Sequence, residues 1–290
     1  MIFARDKSQM CNNLLQYAHV YAWGREHGRK VISMRFSYKY RYFKICHTPL
    51  TSFPLYLAAK YAAALKLLPT ASFKHADCDR EALERKMLRK RNIVVSGWNV
   101  RFYDLFLKYR SEICDLFTLD SCYCDPVRVK MQQAEGRGDG GDGGDGRHAA
   151  QGAHDILRLG VHIRRGDYAA WGDGRYFYSD EVFAEFIRRF AALHPEKSVH
   201  AYLSTNDPAV SEQAFQALCP EVTVHCFQGS APEDLFMLSE CDYLIGPPST
   251  YSLVAAMYRD IPLFRMDSAD AGAMTADAFR RFDYWFRRIV

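Results

Sequence analysis

Short apolar runs recur along the second half of the chain at regular intervals: LRLGVHI (157–163), VHAYLS (199–204), VTVHCF (222–227), YLIG (243–246) and PLFRM (262–266). Runs of this length, rich in β-branched and apolar residues, read as strands buried on both faces. Each gap holds apolar residues at helical spacing: SDEVFAEFIRRFAALH (179–194), then PAVSEQAFQALC, PEDLFMLSEC and STYSLVAAMYR. Ser179 stands at the N-cap position of the first. Strands alternating with helices predict a doubly wound parallel sheet in this half.

The first half carries a weaker version of the same alternation. MIFAR reads as a strand, NNLLQYAHVYAWGREHG (12–28) as a helix ended by Gly28, RKVISMRF (29–36) and NIVVSGW (92–98) as strands, and FYDLFLKYRSEICDLF (102–117) as one helix. Residues 37–91 give no clear pattern beyond LYLAAKYAAALKLLP (55–69), where Lys60 and Lys66 favour a packed helix over a membrane-surface one. Between the halves, AEGRGDGGDGGDGRHAAQG (134–152) buries nothing and reads as a flexible linker. The expected organisation is therefore an N-terminal domain over 1–133, the linker 134–152, and a C-terminal domain over 153–290.

Composition changes this picture in one respect. The net charge of +4 conceals an imbalance, since residues 1–133 hold 23 Lys/Arg against 11 Asp/Glu while the remainder is acidic. A basic half is a candidate for contact with an anionic acceptor or anionic headgroups. Nine scattered cysteines without a paired metal or redox spacing read as reduced thiols of a cytosolic protein. No apolar stretch is long enough to span a bilayer.

In a doubly wound sheet, ligands sit beyond the carboxyl ends of the strands. Three segments directly follow predicted strands and so share that edge: RRGDY after 157–163, STND (204–207) and GPPSTYS (246–252). Arg164 and Arg165 offer bidentate donors, and a helix opening at Ser249-Thr250 offers backbone N–H groups; both suit a phosphate or diphosphate. Each residue alone also has a plainer reading. Adjacent arginines at a strand end are common ion-pair residues, His162 alternates with apolar neighbours as a buried core histidine does, and Asp207 and Ser249-Thr250 fit an ordinary turn and N-cap. Neither a GxxxxGK[ST] loop nor a GxGxxG after the first strand is present, which disfavours a P-loop triphosphatase and a dinucleotide oxidoreductase.

Taken jointly, the motifs resemble those of fucosyltransferases in the α1,2 (glycosyltransferase family 11), core α1,6 and nodulation-type group. VHIRRGDY (161–168) is similar to the run that meets the diphosphate of GDP-fucose there, and DLFMLSECDYLIGPPSTYSLVAAMY (234–258) is similar to the later motif; YLSTND (202–207) falls between them in the same order. NNLLQYAHVYA (12–22) and SGWNVRFYDLFLKYRSEI (96–113) resemble segments of the α1,2 branch, with SQMC (8–11) in place of its glycine-rich approach and YSLVAA (251–256) in place of its later ending.

The resemblance implies a GT-B architecture of two Rossmann-like domains, the second binding the nucleotide sugar. It implies inverting transfer of fucose from GDP-fucose, without metal or further cofactor, to a hydroxyl of a glycan or lipid-linked saccharide, as in polysaccharide biosynthesis. Arg164 would hold the β-phosphate with Arg165 in support; His162 and Asp234 would help fix the nucleotide; Ser249, Thr250 and Ser252 would contact phosphate, with Asp207 beside them. Inversion needs a proton acceptor, for which Asp167 is the candidate and Asp6 its rival. The expected setting is the cytoplasm, with the basic half a candidate for peripheral contact at the inner face of a membrane, and with no role for nucleic acid. Two other readings stay open: a non-catalytic GDP-sugar or saccharide-binding protein, and a transferase using another GDP-linked sugar.

Overall fold

The computed structural model describes residues 1–5, 8–136 and 156–288. The chain divides into two compact units, Met1–Asp120 and Ser121–Val290.

The first unit runs β1 (Ile2–Arg5), α1 (Met10–Glu26), β2 (Val31–Ser33), α2 (Phe53–Ala64), β3 (Thr70–Ser72), α3 (Arg80–Arg89), β4 (Ile93–Ser96), α4 (Tyr103–Lys108) and α5 (Arg110–Leu116). Its four strands are parallel in the order β2-β1-β4-β3. Phe3, Ile32 and Val94 stand in register and so share one face. That face meets Ala59 of α2, with Tyr56 and Ala63 partly buried beside it. Helix α1 is buried almost throughout, and its Trp23 indole donates to Glu84 of α3 at 3.1 Å.

Two expectations for this unit change. The segment 102–117 is two helices, because the backbone leaves helical geometry at Tyr109 (φ −102°, ψ 17°), where Lys108 and the Tyr109 hydroxyl both reach Glu26 of α1. Helix α2 forms near where expected and packs on the sheet, but only Ala59 along it is fully buried, so most of its apolar surface stays exposed.

The second unit opens with α6 (Ser121–Ala134), then alternates as the periodicity predicts: β5 (Ile156–Ile163), α7 (Asp180–Leu193), β6 (Ser198–Thr205), α8 (Glu212–Leu218), β7 (Thr223–His225), α9 (Ala231–Ser239), β8 (Tyr243–Gly246), α10 (Thr250–Arg259), β9 (Leu263–Arg265) and α11 (Phe282–Phe286). The five strands are parallel in the order β7-β6-β5-β8-β9. Leu159, Val161 and Ile163 project from β5 into one core with Phe183, Phe186, Ile187 and Phe190 of α7. Burial of these large apolar groups stabilises each by about 1.5–3 kcal/mol relative to exposure.

The units meet at Asp120–Ser121 rather than at residue 133, since α6 packs on α9. Arg128 of α6 lies 5.1 Å from the Phe236 ring. Just past α6, Glu135 has its side chain enclosed, accepting from Arg158 Nε at 2.6 Å and from the Tyr202 hydroxyl at 2.7 Å. It anchors this helix to β5 and β6. Residues 137–152 of the expected linker lie outside the described residues. Among the described residues no helix is long and apolar enough to cross a membrane.

Candidate functional site

In an open parallel sheet a crevice forms where successive connections leave in opposite directions. The order β7-β6-β5-β8-β9 puts that point between the carboxyl ends of β5 and β8. Arg164-Arg165-Gly166-Asp167 follows the first, and Pro247-Pro248-Ser249 leads from the second into α10.

The two arginines part company at once, as neighbours at a strand end must. Arg164 closes a two-point ion pair with Asp167, Nε to Oδ1 and Nη2 to Oδ2, each at 2.9 Å. The turn that returns Asp167 to it passes through Gly166 at φ +40°, where a Cβ would also lie 2.7 Å from the Asn206 amide nitrogen. Arg164 is 21% and Asp167 55% exposed, so the pair stands open to solvent. The fork therefore holds a planar anion in the two-point geometry it would also offer a phosphate.

This pairing alters the reading of Asp167 as a proton acceptor. Hydrogen bonds from Arg164 hold its carboxyl below the usual carboxylate range, and both its oxygens are engaged. A carboxylate so held is a weak base for as long as the pair lasts, and in this state it orients Arg164. The rival, Asp6, lies outside the described residues.

Arg165 turns into the protein. It pairs with Asp180 at the start of α7, pairs with Asp207 at 3.1 Å, and donates to the Tyr178 carbonyl at 3.2 Å, with 12% of its side chain exposed. Its backbone N–H is taken by Asn206 Oδ1 at 2.9 Å. Asp207 in turn accepts from the Ala209 amide at 3.0 Å, and that bond together with Arg165 keeps its carboxyl low. Arg165 and Asp207 thus brace the turns after β5 and β6 against α7.

His162 is buried, its Nδ1 3.3 Å from Ser252 Oγ and its ring 5.0 Å from Tyr251. Burial, aided by Arg164, pushes its pKa down to about 3, so the imidazole is neutral. Gly246 makes room for it: a Cβ there would lie 3.0 Å from both the His162 Cβ and its carbonyl oxygen. Ser249 caps α10, accepting from the Tyr251 amide at 3.2 Å, and Thr250 opens the first turn. Tyr168 ties the halves of the site together, since its ring lies 5.6 Å from the Arg164 Cζ while its hydroxyl donates to the Pro248 carbonyl. Arg164, His162, Ser249, Thr250 and Ser252 thus belong to one sheet edge, where Tyr168 links the Arg164 guanidinium to the loop that opens a ten-residue helix. Such a pairing of fork and helix dipole attracts anions.

Asp234, in the first turn of α9, is placed differently. Its Oδ2 accepts from Ser204 Oγ at 2.9 Å, and the amides of Gly229 and Thr205 also donate to the carboxylate. It fastens the end of β6 to the loop before α9. Burial nonetheless raises its pKa from 3.8 to about 7. Because the folded protein holds this proton more tightly than the unfolded chain, the contribution to stability is complete below pH 3.8 and lost as pH rises towards 7. Urea unfolding should accordingly show the penalty of Asp234→Asn shrinking from pH 4 to pH 8 by roughly 3 kcal/mol. A penalty that does not change with pH would contradict this.

Tyr168, Asn206 and Asp180 are the residues that sequence reasoning passed over. Tyr168 and Asn206 already sit within the strand-end segments RRGDY and STND, which is the signal that could have found them; Asp180 has none beyond its first-turn position. In the first unit the corresponding crevice, between β1 and β4, holds a partly open pocket of about 10 Å³ lined among others by Arg5, Gln16, Tyr17, Ser96 and Gly97, room for about one water. Among the described residues no group of three or more His, Cys, Asp or Glu side chains is placed to hold a metal ion.

No protein-family model matches the sequence, and no curated protein matches it. Solved structures do. A mutant of Arabidopsis thaliana FUT1 in complex with GDP superposes with a TM-score of 0.63 at 11% identity, covering 97% of this chain and 73% of that one. POFUT1 in complex with GDP-fucose superposes with a TM-score of 0.53 at 10% identity, covering 90% of this chain and 94% of that one. Two units built on parallel sheets, aligned over nearly the whole length with these structures, identify the chain as having a GT-B-like fold.

Proposed function

We propose that the protein is a glycosyltransferase that moves fucose from GDP-fucose to a hydroxyl of a glycan or lipid-linked saccharide. The observation that carries this is the placement, at the switch point of the second sheet, of the partly exposed Arg164–Asp167 pair and the N-terminus of α10, joined through Tyr168. The GDP and GDP-fucose held by the two superposed structures support a GDP-linked donor, and the motif resemblance favours fucose and an α1,2-like enzyme.

In this reading the diphosphate replaces the Asp167 carboxylate on Arg164 and takes first-turn amides of α10. As the bond from fucose to the diphosphate oxygen stretches, negative charge grows on GDP, and donors fixed in advance stabilise that charge without reorganising. Arginine and helix dipole then fill the role that a divalent cation fills elsewhere. His162 acts as a positioning residue, holding Ser252 and Tyr251 at the helix start. Arg165, Asp207 and Asp234 shape the site from behind. Asp167 orients the fork before the donor arrives and, once the diphosphate has displaced it from Arg164, takes the proton that the acceptor hydroxyl gives up as its oxygen bonds to fucose and GDP leaves.

The test is release of GDP from GDP-fucose in EDTA over a panel of saccharide acceptors. Acceptor-dependent release that survives chelation is expected, with GDP-fucose outcompeting GDP-mannose. Tight GDP binding without turnover on any acceptor would instead favour a non-catalytic binding protein.

A further inference from the structure

We infer that α2 and the turn after it form a docking face for an anionic lipid bilayer. This does not rest on the proposed reaction. Helix α2 is set on the four-stranded sheet through a narrow stripe, Tyr56, Ala59 and Ala63, and turns its remaining apolar residues outward. Phe53 is 50%, Tyr61 60%, Leu65 69% and Leu67 75% exposed. Removing such side chains from water is favourable in proportion to their apolar area, and display of several together marks an interaction surface.

The charge around the face selects the occupant. From residue 27 to residue 76 the sequence carries nine Lys/Arg and no Asp or Glu. Lys60 and Lys66 lie within the apolar segment itself, with the Lys60 ammonium 5.8 Å from both the Tyr56 and Tyr61 rings. Tyr38 extends the aromatic surface, its ring 4.9 Å from that of Tyr56, and Arg35 donates to its hydroxyl at 2.7 Å. Leucines able to enter acyl chains, tyrosines suited to the headgroup level and lysines able to reach phosphate are the set that an anionic interface accepts. A second copy of the chain is a poorer occupant, because a symmetric contact would bring these cations against themselves with no carboxylate in the segment to neutralise them. A saccharide is poorer still, since exposed leucines offer it no hydrogen bonds.

Flotation of the full chain with vesicles tests the inference. Vesicles of equimolar phosphatidylcholine and phosphatidylglycerol should carry the protein, and pure phosphatidylcholine should bind it at least about tenfold more weakly. Both Leu65→Ser/Leu67→Ser and Lys60→Glu/Lys66→Glu should lower partition by about tenfold or more. Since these side chains are exposed, thermal unfolding should not move, which separates lost docking from lost folding. Equal binding to both vesicles, binding to neither, or variants that float like the parent would overturn the proposal. So would sedimentation showing a dimer that Leu65→Ser/Leu67→Ser dissociates, which would assign the face to a second copy.

Discussion

Arg164→Lys is expected to lower kcat/KM for GDP release by about 10²- to 10³-fold while leaving the unfolding midpoint almost unchanged. The charge stays, but a lysine ammonium has one point of attachment where guanidinium has a planar pair, and the two 2.9 Å bonds to Asp167 show that this site uses both. The lost interaction grows with the charge on the leaving diphosphate, so it should fall more on kcat than on KM. Stability is spared because Arg164 serves an open ion pair whose Asp167 partner is 55% exposed, and exposed pairs contribute little. Arg164→Lys enzyme with full turnover would remove Arg164 from the chemistry.

Arg165→Ala should do the reverse. Its guanidinium is the shared partner of Asp180 and Asp207 and bonds the Tyr178 carbonyl, with little of it reaching solvent. Removing it leaves two carboxylates facing one another and a carbonyl unmatched. Breaking such a group inside a protein costs about 3–5 kcal/mol, and the partial exposure of both carboxylates reduces this to roughly 2–3 kcal/mol. For a unit of this size that corresponds to a fall of about 5–10 °C in the unfolding midpoint. Below the transition, GDP affinity should stay within a few-fold of the parent. Lost GDP affinity at unchanged stability would instead make Arg165 a phosphate ligand, as its adjacency to Arg164 in the motif suggests. Differential scanning calorimetry and a GDP titration on the same variant separate the two.

The contrast between these neighbours shows where sequence reading stops. Regular alternation of apolar runs and helical periods makes the second sheet legible strand by strand, and the rule that ligands gather at carboxyl ends singles out RRGDY and GPPSTYS from sequence alone. Which arginine faces solvent depends on Asp180 and Asp207, carboxylates that reach Arg165 from α7 and from the turn after β6. No local pattern announces such convergence. Asp167 is different, since its partner lies only three residues away across Gly166, and the pair could have been read from that spacing.

The first unit was harder for physical reasons. Strand β3 is Thr70-Ala71-Ser72, three small residues whose strand character comes wholly from pairing with β4. Helix α2 is apolar on nearly every side, so periodicity could not reveal that one narrow stripe would be covered and the rest left bare. The break at Tyr109 is set by contacts with Glu26, more than 80 residues earlier in the chain. Local pattern is informative where one face of an element is buried along its whole length, and uninformative where tertiary contacts choose among equivalent residues.

A crystal of the protein soaked with GDP-fucose bears most directly on the site. The diphosphate should lie on the Arg164 fork and the first-turn amides of α10, with the Asp167 carboxylate displaced. Density for the nucleotide on the first unit, or an Arg164–Asp167 pair left intact beside a bound donor, would contradict it.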